Sequence, residues 1–156
     1  MKRVLAIDPG TVQSAYVVWD HAHSHIDEKG IIPNDQMLVL IQSIQATHSI
    51  DIAIEMIASY GMPVGREVFE TVLWIGRFMQ VSNTVNLVYR KDIKMYFCGT
   101  SKAKDSNIRQ AVIDKYGEVG TKKAPGVLYG VSKDIWSAMA IAVFYSENSI
   151  IESIKK

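Results

Sequence analysis

An apolar stretch, Arg3-Val4-Leu5-Ala6-Ile7, breaks off at Asp8-Pro9-Gly10, and the rest of the chain has to be compatible with that break. Such a run is long enough for a buried strand and too short for a stable helix, and Pro-Gly forces a turn. The segment from Val12 to Trp19 is rich in β-branched and aromatic residues. It reads as a second strand folded back through that turn. A third, weaker strand is expected near Lys29–Ile32.

Beyond this point the periodicity changes. Asn34 or Asp35 can cap a helix whose apolar positions are Met37, Leu40, Ile41 and Ile44. Ile50-Asp51-Ile52-Ala53-Ile54-Glu55 alternates with the period of a strand. Residues 65–81 read as a helix with Val68, Val72, Ile75 and Met79 along one side, and Thr84–Tyr89 as a fifth strand. Helices are expected near 90–97 and 105–116, and a last one from near Ser132 to about Tyr145. Three hairpin-linked strands followed by alternating helix and strand imply an α/β chain, a mixed sheet flanked by helices. With 156 residues and no repeat or linker, residues 1–156 read as one domain.

The single cysteine, Cys98, excludes an internal disulfide and a cysteine metal cluster. The opening apolar run is too short for a signal peptide or a membrane span, so a membrane partner is not expected. The net charge of +1 conceals an asymmetry. Residues 1–89 carry a balance of −4, residues 90–133 one of +6, and residues 134–156 one of −1. A solvated basic face explains the basic segment, as does contact with a polyanion beside an acidic site.

Three carboxylates stand where chemistry could use them. Asp8 closes the first strand and shares a face with Val4 and Ala6. Glu55 closes the fourth strand and shares a face with Ala53, with Asp51 at that strand's far end. Asp134 opens the last helix, on which 134, 138 and 141 align. If strands one and four are parallel neighbours, Asp8 and Glu55 meet at the sheet's carboxyl end, where ligand groups gather. The small Ala138 would let the last helix approach Ala6 and Ala53 and bring Asp134 to them. Three acids together repel one another, and a divalent cation that prefers oxygen relieves the conflict. Plainer readings exist for each: a turn residue for Asp8, a solvated strand end for Glu55, and a first-turn acid favoured by the helix dipole for Asp134.

These residues also carry a resemblance. Ala6-Ile7-Asp8-Pro9-Gly10-Thr11 resembles the opening motif of RuvC-type Holliday-junction resolvases, and Ala53-Ile54-Glu55 their second acidic motif. Ser137-Ala138-Met139-Ala140-Ile141-Ala142 resembles the Asp-Ala-Leu-Ala-Ile-Ala stretch of their last helix. The region Arg90–Gly117, with Lys94, Gly99, Ala103 and Ser106, is similar to the helix, loop and helix before it. The similarity spans nearly the whole chain, and the short loops and Ser101-Lys102-Ala103-Lys104-Asp105-Ser106-Asn107 look most like phage-encoded members. It implies a ribonuclease H-like fold with a five-stranded sheet, a homodimer and symmetrical cutting of a four-way junction. It implies catalytic and metal-binding roles for Asp8, Glu55 and Asp134, with Mg²⁺ as cofactor and Mn²⁺ as a substitute. With so short an opening apolar run the chain reads as cytoplasmic, in the host bacterium if phage-encoded. The chain departs from the family at Ser137, which stands where a second carboxylate of the last helix is usual. Asp105 is a candidate replacement, although a helix cap is the preferred reading for it.

Lys102, Lys104, Arg109, Lys122 and Lys123 are candidate phosphate contacts, the last two in an exposed loop. Tyr60 or Met62, in the loop after Glu55, is a candidate wedge against unstacked bases, or a loop side chain folded onto its own surface. His21, His23 and His25 read as solvent-exposed turn residues. Competing functions are a nuclease of the same fold acting on structured RNA and a non-catalytic DNA-binding module. Asp-Pro-Gly-Thr also resembles the phosphate loop of actin-like ATPases, but those need two such domains, so no nucleotide cofactor is expected.

Overall fold

The computed structural model describes residues 3–155, with side chains as far as residue 150. Strand β1 (Arg3–Asp8) pairs antiparallel with β2 (Gln13–Asp20), which pairs antiparallel with β3 (His25–Pro33). The third strand is therefore longer than the sequence pattern indicated. Its polar residues obscured it, because one side faces solvent and only Ile26 is fully buried. On the other edge β1 pairs parallel with β4 (Ile50–Met56), and β4 with β5 (Val85–Tyr89). The order across the sheet is β3-β2-β1-β4-β5.

Helices α1 (Asn34–Thr47) and α2 (Arg66–Val81) cover one face. There Leu5, Ile7, Ile52 and Ile54 pack with Met37, Ile41, Ile75 and Phe78. The buried line of α2 is Thr71, Ile75 and Phe78. Of the expected stripe, Ile75 lies in the core, Val68 and Val72 are half-buried, and Met79 is exposed. The buried line is rotated by about one residue because Phe78 and Trp74, not Met79, fill the space above the sheet.

The other face carries α3 (Arg90–Cys98), α4 (Asp105–Tyr116) and α5 (Ile135–Lys155). Helix α5 starts three residues later than expected and runs about ten further. Ala138, Met139, Ile141 and Ala142 are fully buried in one cluster with Val4, Ala6 and Ala53. Alanines on both sides allow the helix backbone to approach the sheet closely, as interior packing density requires. Among the described residues no helix is long and apolar enough to cross a membrane.

Asn34 does not cap α1; the cap position is Pro33, with no side-chain cap bond. Instead the buried Asn34 amide donates to the Gly10 carbonyl (2.9 Å), and its oxygen accepts from the Ser14 hydroxyl (2.6 Å). Gly10 N–H donates to the same hydroxyl (3.2 Å). This network pins the turn after Asp8 to the start of α1. A Cβ at Gly10 would lie 2.4 Å from the Gln13 carbonyl oxygen, a contact only backbone movement can relieve. Gly10→Ala and Asn34→Ala should each destabilise the protein by about 1–3 kcal/mol, one by this clash and the other by stranding buried polar groups. Urea unfolding of both variants checks this; wild-type midpoints would show the turn to be unconstrained.

Candidate active site

Parallel pairing in register, with Ile7 opposite Ile54, delivers Asp8 and Glu55 to the same end of adjacent strands. Asp51 lies on the same face two pairs away and accepts a hydrogen bond from Tyr145 of α5 (3.0 Å), so it serves the far end of the helix. Asp134 is one residue before α5, and its carbonyl accepts from Ser137 (3.0 Å) and Ala138 (3.2 Å). It thus stands at the cap position rather than inside the first turn, with its side chain exposed.

Asp8 lies in the field of both other acids. Burial pushes the Asp8 carboxyl up to about 8, with the charges of Glu55 and then Asp134 adding to the effect. Burial also raises Glu55, against the opposing pull of Arg90. Arg90, the first residue of α3, places Nη1 3.8 Å from Glu55 and Nη2 on Asp105. Burial works against its charge, but Glu55, Asp105 and Asp8 outweigh this and hold the guanidinium above its ordinary value. Nη1 is buried and has no hydrogen-bond partner among the described residues.

The donor chemistry fits a hard divalent cation. The donors are all carboxylate oxygens, and burial, with the charges of Glu55 and Asp134 added, pushes the Asp8 carboxyl up to about 8, a penalty that a bound cation would offset. Their spacing is open, however: among the described residues no three His, Cys, Asp or Glu side chains are placed to hold one ion. Glu55 leans towards Arg90, which supplies the cation that this arrangement already contains. Asp105 is not the cap of α4. That position is Lys104, whose N–H is bonded by Asn107 (2.9 Å), while Asp105 anchors Arg90.

A cleft of about 350 Å³ beside Asp134 is lined by Arg90, Arg109, Lys133, Trp136 and Ser137 among others. On the far side of Arg90 a second cleft, of about 340 Å³, is lined by Tyr60, Lys91, Lys94 and Ser101. Tyr60 is exposed, at a left-handed φ of 50°, and Met62 in the same loop is exposed too. Arg109 lies 5.0 Å over the Trp136 ring. Lys102 and Lys104 are exposed on the turn before α4. Lys122 and Lys123 occupy the exposed tip of a tight hairpin closed by reciprocal Thr121–Ala124 bonds of 3.1 Å. Of the histidines expected in the turn, His23 and His25 are exposed, whereas His21 is half-buried and accepts from the Trp19 indole (3.0 Å).

Sequence reasoning missed Arg90, Lys91, Lys94, Lys133 and Trp136 as site residues. Two of them carried a signal. Arg90 and Lys91 are cations in the first turn of α3, where the helix dipole disfavours positive charge. That misplacement made local sense only if acids or a polyanion lay opposite.

No family model matches the chain, and no curated protein matches it. Solved structures do. The structure of Thermus thermophilus RuvC in complex with a Holliday junction substrate superimposes with a TM-score of 0.67 over 97% of each chain at 13% identity. A second T. thermophilus RuvC structure gives 0.62 over 94% of this chain and 96% of that one, at 15% identity. The fold is that of RuvC. The RuvC fold agrees with the ribonuclease H-like mixed sheet expected from the sequence, with five strands and helices on both faces.

The raised Asp8 carboxyl has a consequence for stability. Asp8 keeps its proton in the folded protein up to about pH 8, whereas an unfolded chain releases it near 3.8. Without divalent cations, stability should therefore fall as pH rises from about 4 to 8. Asp8→Asn cannot lose that proton, so it should exceed wild type by on the order of 1–3 kcal/mol at pH 8 and by less at pH 5. Denaturation in chelator across this range checks it; a constant difference would mean that Asp8 is solvated.

Proposed function

We propose that this protein is a metal-dependent endonuclease that cuts four-way and other branched DNA by phosphodiester hydrolysis. The observation that carries the reading is that parallel β1 and β4 bring Asp8 and Glu55 to one end of the sheet, within reach of the charge of Asp134, on a RuvC fold with cationic clefts on either side of Arg90. Asp8, Glu55 and Asp134 would hold Mg²⁺, or Mn²⁺ in its place, which supplies water activation at neutral pH and charge neutralisation at the scissile phosphate. To hold the ion, Glu55 would have to turn from Arg90, which Asp105 would still anchor through Nη2 beside the cleft. In the reaction an attacking water forms the new P–O bond, the bond to the 3′-oxygen breaks, and a 5′-phosphate remains.

The flanking residues support a branched substrate. Tyr60, exposed above Lys91 and Lys94, offers a stacking surface for an unpaired base beside two phosphate contacts. Lys102 and Lys104, and Lys122 and Lys123 at the hairpin tip, extend the basic surface along a duplex arm. Cutting a four-way junction symmetrically takes two centres, so we assign a homodimer. We place its contact on the outer face of α2, where Phe69 and Leu73 are about two-thirds exposed and Gly76 adds no side chain. The setting expected for such an enzyme is the cytoplasm.

Asp8→Asn should lower cleavage of a mobile four-way junction by at least about 10³-fold and leave binding intact or tighter, since it removes charge from the site without changing shape. Gel assays in Mg²⁺ on four-way DNA, linear duplex and structured RNA test both activity and substrate. Wild-type cutting by the variant would refute the role of Asp8, and preference for RNA would refute the substrate. The double variant Lys122→Ala/Lys123→Ala should reduce the salt dependence of junction binding by about one to two phosphate equivalents. An unchanged slope in anisotropy titrations would mean that the hairpin tip points away from DNA.

A further inference from the structure

The cleft beside Asp134 contains more positive charge than the carboxylates need. Arg90, Arg109 and Lys133 face it, against the acids Asp105 and Asp134. Arg90 is already engaged by Glu55 and Asp105, which leaves Arg109 and Lys133 as the cations without a carboxylate partner among the described ion pairs. Both are exposed, but Arg109 has a ring contact and Lys133 sits on a constrained backbone. Arg109 is stacked over the Trp136 ring at 5.0 Å, which orients the plane of its guanidinium. Lys133 has a left-handed φ of 49°, a conformation that a residue with a side chain adopts only at a cost. The turn that imposes it is closed by Ile135 N–H on the Ser132 carbonyl (3.0 Å) and Trp136 N–H on the Lys133 carbonyl (3.3 Å). Glycine or asparagine would meet this backbone geometry more easily, yet the position holds a lysine next to Asp134.

We propose that this cleft is a phosphodiester-binding subsite, with Lys133 and Arg109 as direct phosphate contacts and Trp136 as the wall that orients Arg109. It rests on the nucleic-acid reading above and deepens it. Its volume of about 350 Å³ suits a phosphate and its sugar rather than a base pair. An arginine fork and an ammonium converging from two elements match phosphate oxygens. The proximity of Asp134 places the bound phosphate next to the reacting one. The subsite therefore sets the register of the strand, so that the neighbouring phosphodiester falls on Asp8. Ser137, which also lines the cleft and carries no charge, adds no repulsion to the strand; a carboxylate at that position would.

The test uses Lys133→Gly, Lys133→Arg and Arg109→Ala in the full chain. Lys133→Gly removes the ammonium while accepting the left-handed backbone, so its melting temperature should equal or exceed that of wild type. Binding of a four-way junction in chelator, titrated against KCl, should weaken roughly five- to tenfold at moderate salt in Lys133→Gly and Arg109→Ala. The salt slope should fall by about one in each, and Lys133→Arg should retain both affinity and slope. Single-turnover cleavage in Mg²⁺ should show cuts displaced or spread along the strand in the two weakened variants. Wild-type affinity, slope and cut position in both of them, with a wild-type protein that binds and cuts, would overturn the subsite alone. A wild-type protein that neither binds nor cuts branched DNA would overturn the functional reading and the subsite with it.

Discussion

The close seating of α5 on the sheet is the contact on which the rest of the site depends. Ala138 and Ala142 meet Val4, Ala6 and Ala53 in a cluster that excludes solvent. Small residues at these positions set the distance between helix and sheet, and in a close-packed interior that distance is not free to relax. Because Asp134 stands immediately before α5, the depth of the helix decides how near its carboxylate comes to Asp8. The opposite end is held as well, by the Tyr145 hydroxyl on Asp51. The turn that carries Asp8 is fixed independently, through Asn34 and Ser14. Two separate packing problems, a helix on a sheet and a turn on a helix start, thus converge on one carboxylate.

That convergence is electrostatically unfavourable, and the fold manages it in two ways. Asp8 retains its proton, and Arg90 faces Glu55. Asp105 holds Arg90 from its other side, so the guanidinium bridges two acids at the boundary between two clefts. An arrangement of this kind is poised, because a divalent cation or a phosphate would change which partner each charge prefers. A single fixed ion pair would not have that property, since removing one partner would leave a buried charge uncompensated.

Much of this was legible before any coordinates. Asp8 and Glu55 each end an apolar strand segment, and the period-two pattern dictates which neighbours share their face, so their common end of the sheet followed from the assumption of parallel pairing. The alanines of α5 likewise announced a close approach. What escaped was conditional on contacts distant in sequence. Asn34 looked like a helix cap because capping chemistry is local, whereas its bonds go to Gly10 and Ser14, twenty or more residues away. Asp105 looked like a cap for the same reason and turned out to anchor Arg90. The α2 stripe was displaced because Phe78 and Trp74 fill space above the sheet that periodicity alone does not define. Lys133 gave no warning at all, since a positive φ in a lysine leaves no trace in residue type.

The sequence by itself determined the strand and helix order, the mixed sheet and the identity of the acids at strand ends. These depend on hydrophobic period and turn chemistry, which act over a few residues. Only the tertiary structure decided which cation faces Glu55, where the clefts lie and which basic residues line them. Those are settled by competition among charges and volumes brought together from remote segments, and no local pattern encodes the outcome of that competition.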